Sequence, residues 1–104
     1  MALTDSQKSS IESKKRDIER KKNEIENIKQ QKERMQSNAK LSISKNKEYL
    51  KNAKDTNSKN MYRANIESET KFLKNQIVDY NRDIDNIKRN ITSLKEEISR
   101  IKSR

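Results

Sequence analysis

The sequence predicts an all-α protein in which two long helices fold back on each other as an antiparallel hairpin. Three observations predict this fold, and the first is a heptad pattern over residues 66–101. Apolar residues recur there at alternating spacings of four and three, which specifies a helix that buries one narrow stripe against another helix. We call this stripe the second seam. Besides Thr70, it consists of Ile66, Leu73, Ile77, Tyr80, Ile84, Ile87, Ile91, Leu94, Ile98 and Ile101.

Composition is the second observation. The 104 residues include no Gly and no Pro, so a fold that needs many tight turns is nearly excluded. Charged residues make up 40% of the chain and hydrophobic residues 28%, which is too little apolar surface for a globular core. These proportions suit a single helical domain, residues 1–104, whose long helices share one seam.

The third observation is a segment without apolar residues at 54–60. It is rich in Asp, Thr, Asn and Ser, which prefer caps and turns to helix interiors because their side chains bond to the local backbone. We therefore predict a helix over residues 4–54, a turn over residues 55–60 and a second helix over residues 61–103.

Both predicted helices begin at residues that cap well. Thr4 and Gln7 have the spacing of a capping box, in which each side chain bonds to the backbone N–H of the other residue. For the second helix, Asn57 or Ser58 is the predicted cap.

The first helix carries a weaker seam than the second. Its heptad a positions are isoleucines, but Lys14 and Lys21 occupy two of its d positions, so the seam is half basic where it begins. The spacing shifts after Met35, as in a stutter that locally unwinds a supercoil. The first seam, which with the second forms the predicted partner interface, consists of Ile11, Ile18, Ile25, Ile28 and Met35.

Charge patterning favours an alternative to the hairpin, namely a continuous parallel coiled-coil oligomer. Parallel copies would pair g and e positions of opposite charge, as in Glu69 with Lys74, whereas the hairpin sets Lys against Lys. Such exposed pairs bias orientation by only about 0.3–0.5 kcal/mol each. Isoleucine at both a and d favours more than two strands, so we expect a three- or four-helix bundle completed by a partner or by self-association.

The hairpin prediction also sets a register between the two helices. With the turn at residues 55–60, Ile91 would face the region of Ile25, and Ile98 would face the region of Ile18.

Two apolar residues of the second helix, Phe72 and Val78, lie off its seam. They are either ordinary surface residues or a second stripe that contacts a partner helix.

No chemistry is predicted on this scaffold. The chain has no His and no Cys, which removes the commonest bases, nucleophiles and transition-metal ligands. Carboxylates such as Asp79 and Asp83 share a helix face, but an open helix offers no cleft in which they could act as an acid–base pair. We therefore expect no catalytic residue, cofactor or metal, and a protein that is not an enzyme.

The net charge of +10 indicates an acidic partner. The clusters at residues 14–16 and 20–22 could lie on nucleic acid, but acidic residues interrupt them and no aromatic residue there could stack on a base. Ile11 and Ile18 make too thin an apolar face for membrane binding. We expect a cytoplasmic protein, or one that is secreted within a complex without a cleaved signal peptide.

Two helices of about fifty residues around a polar mid-chain turn resemble the small helical-hairpin (Trp-X-Gly) accessory proteins of type VII secretion. At the turn, Asn57-Ser58-Lys59-Asn60 stands where that family has its Trp-X-Gly motif. The resemblance implies a chaperone or targeting subunit for a secreted effector. A homo-oligomeric scaffold or spacer and a basic nucleic-acid-associated protein are the alternative functions.

Overall fold

The structure is a computed structural model, which describes residues 2–104. It consists of two long helices, α1 (Asp5–Asn52) and α2 (Thr56–Lys102), that pack against each other as an antiparallel hairpin. This confirms the predicted all-α fold class and hairpin. Neither described helix contains an apolar stretch that is long enough to cross a lipid bilayer.

The capping box at the start of α1 is confirmed. The backbone N–H of Gln7 donates to Oγ1 of Thr4 at 3.1 Å, and the N–H of Thr4 donates to Oε1 of Gln7 at 2.8 Å. The two bonds satisfy backbone donors that have no partner inside the helix. The first helix therefore begins where its sequence predicts.

The turn lies earlier than predicted, at residues 53–55 instead of 55–60. The cap of α2 is Asp55, and the prediction of Asn57 or Ser58 is wrong. Oδ1 of Asp55 accepts the backbone N–H of Ser58 at 2.7 Å, and Oδ2 accepts the Ser58 hydroxyl at 3.1 Å. A carboxylate at the N-cap also faces the positive end of the helix dipole, so α2 can begin at Thr56.

This turn needs no glycine. None of the described non-glycine residues has a positive φ, so the chain reverses direction without the left-handed conformation that glycine favours. The N–H of Ala53 donates to the carbonyl oxygen of Leu50 at 3.3 Å and closes the last turn of α1. A sequence without glycine can therefore still form a short helix–helix connection.

The earlier turn changes the register between the helices. Nζ of Lys14 lies 2.9 Å from Oε2 of Glu97, whereas the predicted register places Lys14 level with Lys102. At this contact, Lys14 meets a residue of α2 that lies five positions earlier than the predicted one. The predicted pairing of Ile18 with Ile98 is accordingly wrong by more than one helical turn.

The described chain divides into two compact units, each made from one part of α1 and one part of α2. The isoleucine unit contains the described residues as far as Ile28 together with Arg82–Arg104. The turn unit is the continuous segment Lys29–Asn81, and it contains the connection between the helices.

Candidate functional site

The isoleucine unit has a closed seam. Six isoleucines form its core, three from each helix at intervals of seven residues, and each is 4–8% exposed. The regular spacing places all six at the heptad position that points into the pair of helices. They are Ile11, Ile18, Ile25, Ile84, Ile91 and Ile98.

In this unit, the seam residues that were predicted to contact a partner therefore pack against each other within the chain. The remaining members, Ile28, Ile87, Leu94 and Ile101, are half-buried and pack against the six buried isoleucines. A partner could reach the buried residues only if the hairpin opened.

A basic residue in the first seam is accommodated by an ion pair between the helices. Lys14 donates to Glu97 at 2.9 Å, and 26% of its side chain remains exposed. Lysine can bury its aliphatic stem along an apolar stripe while its ammonium group stays near water. The basic start of the first seam therefore does not prevent this unit from closing.

The turn unit differs from the isoleucine unit because it has no buried residue. The structure describes every residue of the turn unit, Lys29–Asn81. The seven-residue interval that places isoleucine in α1 continues here with Lys32, Ala39 and Asn46. Lys32 reaches across to Oδ1 of Asn81 at 2.8 Å, so a polar contact replaces an apolar one. The seam residues that were predicted here are all half-buried: Met35, Ile66, Leu73, Ile77 and Tyr80.

The turn unit also exposes large apolar side chains. Five of the described residues are large, apolar and more than half exposed, and every one of them lies in this unit. Single exposed residues of this kind are ordinary on a protein surface, but here all of them fall in one unit. They are Leu41, Tyr49, Met61, Phe72 and Val78.

An open groove of about 600 Å³ lies between the two helices of the turn unit. Met35 and Ala39 line it from α1, and Phe72 and Tyr80 line it from α2. Ala39 takes the place of an isoleucine in the seven-residue interval, and its small side chain leaves space between the helices. Phe72, which the sequence left as either surface or contact stripe, borders this space and is 57% exposed.

A polar cluster on the wall of the groove was not predicted. Oε1 of Glu69 accepts hydrogen bonds from the Ser42 hydroxyl at 2.9 Å and from the Asn46 amide at 3.0 Å. Oε2 of Glu69 is buried and has no hydrogen-bond partner among the described residues. The sequence signal for this cluster was the change of spacing after Met35, where polar residues enter seam positions.

Beyond the groove, the two helices of the turn unit meet through an aromatic pair. The ring centroids of Tyr49 and Tyr62 lie 5.5 Å apart with the planes tilted by 40°. Such tilted pairs contribute about 0.5–1.5 kcal/mol beyond their buried area. This contact holds the helices together beside the turn while Tyr49 remains half exposed.

The turn unit has more basic than acidic residues. Lys29–Asn81 contains 12 Lys and Arg and 6 Asp and Glu, and residues 40–63 alone contain 7 basic and 2 acidic residues. An excess of this kind attracts acidic surfaces over distances of about 8–10 Å at physiological ionic strength.

Among residues 2–104, no group of three or more His, Cys, Asp or Glu is placed to hold a metal ion. The candidate surface consists of the groove and the exposed apolar residues of the turn unit. No family model matches this chain, and neither the curated proteins nor the solved structures contain a significant match to it.

Proposed function

We propose that this chain is a non-enzymatic interaction protein that docks onto helices of a partner protein. The observation that carries the proposal is the contrast within the hairpin. One unit closes its own seam, whereas the other exposes large apolar side chains and has an open groove that Phe72 lines. Docking of one or two partner helices would complete the three- or four-helix bundle that the isoleucine-rich seams favour.

The role that suits such a protein is that of a chaperone or targeting subunit for a secreted effector. A hairpin that carries its own stable seam can present a groove to a helical segment of another chain. The resemblance in architecture to accessory hairpins of type VII secretion supports this role, and the excess of basic residues favours an acidic partner.

The first experiment asks whether the chain binds helices at all. The probe is a fluorescent peptide of three heptads with leucine at positions a and d, and the control is a peptide of the same composition with scrambled order. We expect binding of the heptad peptide and no binding of the scrambled one, measured by fluorescence anisotropy. Equal affinity for both peptides, or for neither, would contradict docking onto helices.

The second experiment addresses the chaperone role. The chain is co-expressed with the protein encoded by the neighbouring gene, and the complex is analysed by sedimentation. We expect a heteromeric complex in which a helical segment of the partner becomes resistant to protease. If the partner is equally protected without this chain, the chaperone role is wrong even though helix docking can still hold.

A further inference from the structure

We propose that the groove of the turn unit binds one acidic amphipathic helix of the partner. This inference rests on the proposed function and adds the surface and the chemistry of its occupant. It differs from the sequence prediction, in which both seams formed the interface, because six of those seam residues are buried within the chain.

The shape of the groove fits a helix. Met35 and Ala39 stand four residues apart on α1 and therefore lie on one face of it, opposite Phe72 and Tyr80 of α2. Where small side chains leave unfilled space between two antiparallel helices, a third helix can insert its a and d residues. The occupant therefore carries an apolar stripe with heptad spacing.

Two cations on α1 flank this apolar stripe. Arg34 lines the groove. Lys45 follows the groove residues Asn38 and Ser42 by seven and three positions, so it continues the same face of the helix towards the turn. A helix that lies in the groove would bring its flanking residues beside these cations, and acidic residues at those positions would be attracted.

A second copy of this chain is a poorer occupant. It would bring another turn unit with 12 basic and 6 acidic residues against the same surface, and like charges oppose such an encounter. An acidic helix meets the same apolar stripe without this repulsion.

The Glu69 carboxylate is the one acidic group that lines the groove beside Arg34, and it is bonded within the chain through Oε1. Its Oε2 atom is buried on the groove wall without a hydrogen-bond partner, although its other oxygen has two. Buried polar atoms are nearly always paired in a complete structure.

The test compares three versions of the heptad peptide that differ only at their polar positions: glutamate-rich, glutamine-rich and lysine-rich. We expect the glutamate-rich peptide to bind the full chain most tightly and the lysine-rich peptide most weakly. The difference should shrink as salt is raised, because screening weakens attraction between exposed charges.

Variants of the chain locate the surface. Phe72→Ser removes an exposed aromatic wall and should weaken binding of the acidic peptide by about tenfold. Lys45→Glu should weaken it by about threefold, whereas Lys95→Glu, an equal change of net charge at an exposed position in the isoleucine unit, should leave it within about twofold. Circular dichroism confirms that each variant keeps the helicity of the original chain.

The outcomes separate this inference from the proposed function. If heptad peptides bind regardless of their charge, or if Lys95→Glu weakens binding as much as Lys45→Glu, the acidic-helix inference is wrong while helix docking stands. If the free chain sediments as a dimer and the acidic peptide does not dissociate it, a second copy is the occupant and the inference is again wrong. If no heptad peptide binds, the proposed function itself fails.

Discussion

The isoleucine unit and the turn unit are built from the same two helices, yet only one of them has a core. In the isoleucine unit, every seventh residue of each helix is an isoleucine that is at most 8% exposed. In the turn unit, Lys32, Ala39 and Asn46 occupy the equivalent positions of α1, and no residue of Lys29–Asn81 is buried. One part of the hairpin therefore has a buried apolar core, and the other leaves its large apolar side chains exposed.

The difference shows that the length of a helix does not determine how much of its seam is buried against the other helix. Helicity is continuous through both units, since α1 runs unbroken from Asp5 to Asn52. What changes is the side chain at one heptad position, and the burial of the surrounding residues changes with it. A small or polar residue at that position opens the seam without ending the helix.

The largest expected effect comes from removing a buried isoleucine. Ile18→Ala should lower the free energy of unfolding by about 2–5 kcal/mol, because it deletes buried methyl groups and leaves a cavity. Ile77→Ala, at a half-buried position of the turn unit, should cost about half as much. Urea denaturation followed by circular dichroism measures both, and equal losses would show that the two units are packed alike.

A second change extends the isoleucine spacing into the turn unit. Ala39→Ile should raise the free energy of unfolding by about 1–2 kcal/mol, because the added carbon atoms enter the groove and leave water. The neighbouring Lys40→Ile, at an exposed position off the seam, is the control and should give no such gain. If Ala39→Ile destabilises the chain, the groove is not a site where apolar volume is missing.

The cap of α2 gives a smaller, pH-dependent effect. The backbone N–H and the hydroxyl of Ser58 donate to Asp55 and hold the pKa of its carboxyl below the ordinary value. A carboxyl with a lowered pKa in the folded state stabilises the fold fully above its unfolded pKa, and this stabilisation is lost as the pH falls through the folded pKa.

Asp55→Ala should therefore lower the Tm at neutral pH by less than Ile18→Ala does. The difference from the original chain should begin to shrink below the ordinary carboxyl pKa of about 4 and continue to shrink as the pH falls through the lowered pKa of Asp55. Asp55→Asn, which still caps well, is the control and should retain most of the stability without the pH dependence. A pH-independent loss in Asp55→Ala would mean that the charged carboxylate is not the cap. Thermal melts across this pH range provide the measurement.

The smallest effect concerns the ion pair that fixes the register. Lys14 and Glu97 are both partly exposed, so the coupling free energy from a double-mutant cycle should be only about 0.2–1 kcal/mol. Exchanging the two charges, Lys14→Glu with Glu97→Lys, should restore stability that either single reversal removes. If the double exchange is no better than the single reversals, the two side chains do not pair and the register is different.

The sequence predicted the fold class because heptad spacing and the absence of Gly and Pro leave few alternatives to paired helices. It predicted the cap at Thr4 because a capping box is a local pattern of two residues. The turn was harder, since Asp55, Asn57 and Ser58 can each cap a helix and local preference does not rank them. Because the predicted turn was misplaced, the predicted register between the two helices was also wrong.

The candidate surface was only partly visible in the sequence. Phe72 was recognised as an apolar residue off the seam, and the change of spacing after Met35 marked where the seam weakens. That Ser42 and Glu69 would bond across the helices could not be predicted, because their meeting depends on the register. Contacts between distant segments follow from geometry that local patterns do not contain.

The most direct test of the contrast between the units is amide hydrogen exchange along α1 of the free chain. A helix stays protected where its side chains are packed and exchanges faster where they are not. We predict that amides around Ile18 exchange at least about tenfold more slowly than amides around Ala39, although both lie in the interior of the same helix. Equal protection at the two places would mean that the hairpin is uniformly closed, and the account of an open turn unit would be wrong.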